Sequence, residues 1–227
     1  RQLTSPDDLL PMKRIAFYGG SFDPVHNGHL AVAEALIGQF SLDEFVYIPA
    51  FHAPHKLRKR PTSAYDRYAM LCLATDHDDR IAVSKMEIEA PERPFTVETL
   101  TTLNTRLIDT QIFFVMGADS WMDITTWREW ESVLSLSNHI VVTRPGSELS
   151  FDHVTDAIRG RIVDLRGKTE QVVSADHGSR LIYVTDSVFL DISATDIRNR
   201  IRTGDPSWVD DVLPEVAKHI EKYQIYS

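Results

Sequence analysis

Short apolar runs separated by longer amphipathic segments are the feature that most limits how this chain can fold. Residues 14–18, 45–48, 81–88, 111–116 and 139–143 are largely apolar and of strand length. Between them, residues 28–40, 63–75, 96–107 and 126–134 have helical spacing. Ser63 with Asp66 three residues on reads as a capping box for the second of these. Strands buried on both faces and separated by helices belong to a parallel sheet covered on both sides. The pattern predicts a doubly wound, Rossmann-like α/β sheet, in which ligands bind beyond the carboxyl ends of the strands.

The C-terminal third is harder to read. A helix is expected at 152–159, a strand at 181–184, a helix at 193–202 ended by Gly204, and a last helix at 214–223. The last two form a small helical C-terminal extension. Residues 1–12 read as a loose tail with Met12 as a candidate natural start, and 13–227 as a single domain. There is no internal repeat and no low-complexity tract.

Charge narrows the range of partners. Against 24 Lys and Arg stand 33 Asp and Glu, a net charge of −9 over 227 residues. An acidic chain is a poor general binder of nucleic acid or anionic membrane, so an anionic ligand must be held by local positive features. The densest basic run is Lys56-Leu-Arg-Lys-Arg60. It reads as a solvated loop, as capture of polyphosphate substrates, or most weakly as nucleic-acid contact, since it lacks interleaved aromatics. The single cysteine, Cys72, excludes an intramolecular disulfide and a Cys-rich zinc site. Its apolar neighbours suggest core filler. No apolar run approaches the roughly 20 residues of a membrane span, and residues 1–11 lack a signal-peptide core, so a cytoplasmic location is the default.

Two familiar nucleotide signatures are missing. No G-x-G-x-x-G follows the first strand, and Gly167-Lys168-Thr169 is not a P-loop because Ile162 stands where a glycine is required. The informative segment is Gly19-Gly-Ser-Phe-Asp-Pro-Val-His-Asn-Gly-His-Leu30. Its glycines let backbone approach an anion closely. His26 and His29, with Gly28 between, fall at the first turn of the expected helix, where N–H groups favour phosphate. There two imidazoles can donate to phosphoryl oxygens as charge builds. A plain surface loop and a stray metal pair are the competing readings, the latter without an obvious third ligand.

This string resembles the signature of the H-x-G-H nucleotidyltransferases, and among them that of the bacterial nicotinate-nucleotide adenylyltransferases. The likeness continues in order through Pro54-His55-Lys56, Gly117-Ala118-Asp119, Trp127, Arg144-Pro145-Gly146 and Ile192-Ser193-Ala194-Thr195-Asp196-Ile197-Arg198. It spans about residues 13–202, with little contribution from 147–185. One position departs: Phe95-Thr96 stands where the family has Tyr-Thr, which removes a hydroxyl. Phosphopantetheine adenylyltransferases share the first motif but are shorter and carry Thr at the position of His26. Cytidylyltransferases have a different C-terminal signature, and class I aminoacyl-tRNA synthetases are larger. A non-catalytic sensing module would be expected to have lost the imidazoles.

The resemblance implies adenylyl transfer from ATP to nicotinate mononucleotide, giving nicotinate adenine dinucleotide and pyrophosphate, with Mg²⁺ on the ATP phosphates and no covalent intermediate. It implies catalytic roles for His26, His29, Lys56 and Arg198. ATP would lie against Gly19, Gly20, Ser21, Phe22, His26, His29, Gly117, Asp119, Ile192, Ser193, Thr195 and Arg198. The mononucleotide would lie against Ser21, His55, Lys56, Phe95, Thr96, Trp127 and Arg144. Trp127 would stack on the pyridine ring or else be core. Asp119 would take the adenosine ribose, a helix N-cap being compatible. Ser193 would cap its helix in a box with Asp196. No metal-ligating residues of its own, no nucleic acid and no membrane are implied, and a homo-oligomer is left open. Since the attacking phosphate oxygen is already ionised at neutral pH, alignment and charge neutralisation are what the residues must supply.

Overall fold

The computed structural model describes residues 12–51, 62–143, 148–168, 170–172, 180–188 and 190–226. Strands β1 (Lys13–Gly20), β2 (Glu44–Pro49), β3 (Ile81–Val83), β4 (Thr110–Gly117), β5 (Asn138–Val142), β6 (Ile162–Asp164) and β7 (Ile182–Thr185) form one sheet in the order β3-β2-β1-β4-β5-β7-β6. Every pairing is parallel. The chain runs outward from β1 to β3, then returns to lay β4 on the other side of β1. The crevice at this reversal, at the carboxyl ends of β1 and β4, is where a ligand is expected.

Alternation along the strands sorts side chains onto two covered faces. On one, Ala16, Phe45, Tyr47, Phe113 and Val115 pack on Val32, Ala33, Leu36 and Ile37 of α1 (Asn27–Gln39). The same cluster takes in Met70, Leu71 and Ala74 of α2 (Ala64–Thr75) and the apolar side of α8 (Pro214–Lys222). On the other, Ile15, Phe17, Ile112 and Phe114 pack on Val97, Leu100 and Leu103 of α3 (Thr96–Arg106) and on α5 (Trp130–Leu136). Short helices α4 (Ala118–Met122) and α6 (Asp156–Arg159) follow β4 and precede β6, and α7 (Ala194–Thr203) follows β7. None of the helices described is long and apolar enough to cross a membrane.

Several expectations need correction. The strand expected over 81–88 ends at Val83, because the Ser84 hydroxyl takes the Met86 N–H (3.2 Å) and the chain turns. The helix expected over 126–134 is a 3-10 turn (Ile124–Thr126) and a separate α5. Trp127 between them is extended, and Glu129 is left-handed at φ +51°. Only the last turn of 152–159 is helical, capped by Thr155. Ser63 caps α2 through the Tyr65 N–H without a box; Asp66 lies 3.7 Å from His219 instead. Cys72 is half-buried, because Leu71 and Ala74 take the core positions of α2. Gly204 ends α7 in the left-handed conformation, as expected.

Candidate active site

The segment between β1 and α1 is built around buried aromatics. At the end of β1 the Gly20 carbonyl accepts from Ala50 N–H (2.8 Å), tying this loop to the one after β2. Phe22, left-handed at φ +46° and 2% exposed, turns its ring inward among Tyr18, Tyr47 and His29, with centroids 5.0–5.3 Å away. A Cβ on Gly20 would stand 2.8 Å from that ring, so only glycine fits here. The Phe22 side chain thus forms the floor under the histidines.

His26 is the N-cap of α1 and His29 its third residue, and their rings stack at 3.7 Å and 26°. The His26 backbone N–H donates to His29 Nδ1 (3.3 Å), which leaves the His29 proton on Nε2. Burial pushes His26 down to about 4, against a small upward pull from Asp211. Burial and then the neighbouring His26 hold His29 well below its ordinary value. Both are therefore neutral at pH 7, each with one N–H to give. His26 Nδ1 is buried without a partner. Gly28 lies beneath the His26 ring, where a Cβ would meet it at 3.1 Å.

After β7 the chain reaches α7. Ser193 is its N-cap, but its hydroxyl makes no capping bond, and Asp196 pairs with Arg200 (2.9 Å), so the expected box is not formed. Ile192 packs near the Gly28 position. Arg198, 7% exposed, donates to the Asp23 carbonyl and to Thr195 Oγ1 (2.9 Å). Gly117 caps α4 and is free of steric neighbours, and Asp119 lies exposed in the first turn. Across the crevice Phe95 N-caps α3, 45% exposed, with the Arg128 guanidinium 4.8 Å over its ring and Glu98 accepting its N–H (2.9 Å). Thr96 opens α3, and Trp127 is half-buried against the second core cluster. His55, Lys56 and Arg144 lie outside the described residues.

Residues 17–200 match the cytidylyltransferase-like family. A Desulfitobacterium hafniense protein named "Probable nicotinate-nucleotide adenylyltransferase" is 37% identical over 95% of this chain and 97% of its own length. A Corynebacterium glutamicum protein of the same name is 33% identical over 94% and 88%. The chain belongs to the nicotinate-nucleotide adenylyltransferase family. It is a nucleotidyltransferase of the H-x-G-H kind. Its fold is also that of the Plasmodium falciparum nicotinic acid mononucleotide adenylyltransferase complexed with APC, at TM-score 0.68 and 18% identity over 94% of this chain and 97% of that one.

In this nicotinate-nucleotide adenylyltransferase fold, the described candidates lie at or beside the ends of β1 and β4 and the starts of α1, α3, α4 and α7, with Trp127 between the 3-10 turn and α5. Two residues were missed. Arg67, 2% exposed, donates to the carbonyls of Ser21 (2.6 Å) and Ala50 (2.5 Å). Tyr226 donates to Asp23 Oδ1 (2.7 Å). Arg67 left a trace in the sequence: it shares a helical face with Met70, Leu71 and Ala74, where a charge is out of place. Tyr226 left none.

The buried histidines give a pH prediction. His139, fully buried, is driven down to about 3 by burial, against an upward pull from the Ser137 carbonyl (3.1 Å). In the unfolded chain each histidine takes up a proton near pH 6.5. Between that pH and about 4 the unfolded state binds more protons than the folded one, so stability is fully present above 6.5 and falls on acidification. The melting temperature should drop progressively from pH 6.5 to 4.5, with a shallower slope in His139→Gln. An unchanged slope in that variant would remove His139 from the account.

Proposed function

We propose that the chain transfers the adenylyl group of ATP to nicotinate mononucleotide by direct in-line attack. The stacked pair of neutral imidazoles at the start of α1, on the glycine loop at the β1/β4 reversal, is the observation that carries this reading. A phosphate oxygen of the mononucleotide attacks the α-phosphorus of ATP. The bond to the β-phosphate oxygen breaks, and pyrophosphate leaves. No base is needed, so the protein's task is to align two anions and stabilise developing charge with fixed donors. Neutral histidines suit it: each gives one N–H without the cost of a buried charge.

In this reading the N-terminal turn of α7, with Thr195 and the charge of Arg198 behind it, faces the pyrophosphate, and Gly117 and Asp119 take the ribose. Among the described residues no group of three or more His, Cys, Asp or Glu forms a cation cage. We assign Mg²⁺ to the ATP phosphates, where it would neutralise their charge. Lys56, His55 and Arg144 belong to the proposal on sequence grounds alone. A cytoplasmic setting fits the use of ATP. The likeness to proteins named for this reaction and to the Plasmodium enzyme, solved also with NaAD, supports the choice of substrates. The test is pyrophosphate release from ATP that depends on nicotinate mononucleotide. Release with nicotinamide mononucleotide preferred would reject the nicotinate assignment.

Acid-over-amide choice is assigned to the start of α3. A helix N-terminus presents donors and positive potential, which suits a carboxylate and leaves an amide NH₂ facing like charge. The Trp127 ring offers a π-face to either pyridine. Trp127→Ala should raise KM for both mononucleotides in parallel, by roughly 5–150-fold for a lost stack of about 1–3 kcal/mol, and leave their kcat/KM ratio within about twofold. A collapse of that ratio would move the discrimination from α3 to the tryptophan.

A further inference from the structure

The loop that presents the histidines is held from outside. Residues 21–25 make no backbone–backbone hydrogen bond among the described residues. What fixes them comes from three distant segments. Arg67 of α2 takes the Ser21 carbonyl, Arg198 of α7 takes the Asp23 carbonyl, and the Tyr226 hydroxyl takes the Asp23 carboxylate. Arg67 also donates to Ala50, Phe51 and Thr62, so one guanidinium joins the loop after β1 to the backbone on either side of residues 52–61.

Reaching Asp23 from the end of α8 requires an unusual path. Gln224 (φ +50°) and Tyr226 (φ +75°) are both left-handed, a conformation that costs a non-glycine residue and is often found where structure serves function. Ile225 between them returns a backbone bond to Ile220 (3.0 Å), and Ile225 and Tyr226 both pack on the core cluster beneath α1 and α8. The Asp23 carboxylate, 6% exposed, has Tyr226 on one oxygen and Arg198 4.0 Å from the other. Both oxygens thus face donors of the fold.

We propose that Tyr226 is a positioning residue of the active site: through Asp23, and together with Arg67 at Ser21, it sets the conformation of the loop that carries His26. Burial, then the nearby Asp23, pushes the phenol up from its ordinary value, so the hydroxyl stays a donor throughout the working range. An unstrapped loop would present His26 over many geometries, and errors near 1 Å cost about 10²-fold in rate.

This inference rests on the proposed reaction, so its test carries a readout independent of it. Tyr226→Phe, Asp23→Asn, their double variant, Arg67→Lys and, as a control, Tyr223→Phe, whose ring is exposed, would be compared by steady-state pyrophosphate release, melting temperature and amide exchange over residues 21–28. Tyr226→Phe is expected to lose about tenfold in kcat, near the lower end of what a hydrogen bond to a charged group is worth. KM for nicotinate mononucleotide should change less than twofold, and exchange at 21–28 should speed about tenfold. Asp23→Asn in the Tyr226→Phe background should cost less than Asp23→Asn does alone, because the two residues share one bond, the remainder reflecting the charge that faces Arg198. Arg67→Lys should reproduce the loss, since an ammonium cannot span the same carbonyls. Wild-type kcat and exchange in Tyr226→Phe, additive losses in the double variant, or activity that only follows the folded fraction would each overturn the proposal. A wild-type protein inactive on ATP and nicotinate mononucleotide would instead reject the proposed reaction, and exchange would still decide whether Tyr226 holds the loop.

Discussion

Alanine at either His26 or His29 is expected to lower kcat by about 10²–10³, the effect of removing one preorganised donor from a developing phosphoryl charge. ATP affinity should change much less, because a neutral N–H gains most of its interaction as charge accumulates in the transition state. The loss at the double variant should fall well short of the product of the two. The rings stack at 3.7 Å, and His29 Nδ1 accepts from the backbone of His26, so each imidazole orients the other. His26→Asn, which keeps a side-chain N–H, should recover part of the rate. Since burial has already driven both imidazoles neutral, kcat should be flat from about pH 7 to 9, above the second ionisation of the attacking phosphate at about 6, with no bell-shaped profile. Below that it should fall with protonation of the phosphate, and further as acid titrates His26 toward about 4. Single-turnover rates with ATP and nicotinate mononucleotide test this directly. A doubly substituted protein that keeps near-normal turnover would remove the histidines from the chemistry.

What was legible in the sequence follows from how strongly each element is determined. β1 and β4 are buried on both faces, so their apolar runs announced them, and the reading of a doubly wound sheet stood on them. β6 escaped because the three residues Ile162–Asp164 carry almost no pattern, and its place at the sheet edge comes only from pairing with β7. Trp127 and Glu129 broke a segment that reads as one helix, since nothing local reveals that Trp127 will be extended. In the site the split is similar. His26, Gly28 and His29 stand in one short string whose spacing states their geometry, and Gly117 and Thr96 sit where strand or helix ends must fall. Arg67 and Tyr226 act across 46 and 203 positions of sequence, and no local pattern encodes such a contact. The inward course of the Arg198 guanidinium toward the Asp23 carbonyl is hidden for the same reason.

The glycine at the end of β1 yields the second large effect. In Gly20→Ala the added Cβ would lie 2.8 Å from Phe22 Cζ, closer than real contacts allow, and a tight 3.1 Å from both neighbouring ring carbons. The ring has nowhere to go. It is 2% exposed and enclosed edge-on by Tyr18, Tyr47 and His29, and Tyr47 is itself bonded to the His29 carbonyl (2.9 Å). Either Phe22 pushes against His29, or the end of β1 shifts and strains the Gly20–Ala50 bond. Both displace the histidines. Overpacking of this kind costs about 1–3 kcal/mol, a drop of roughly 2–12 °C in melting temperature for a domain of this size. The activity of the fully folded variant should fall about 10²-fold through misplacement alone. Gly38→Ala is the contrast: on the exposed side of α1 with nothing within 4 Å of the new Cβ, it should add about 0.5–1 kcal/mol and leave turnover unchanged. Kinetics measured well below either melting temperature separate the two effects. A Gly20→Ala enzyme with wild-type turnover would show that the Phe22 floor does not transmit to the histidines.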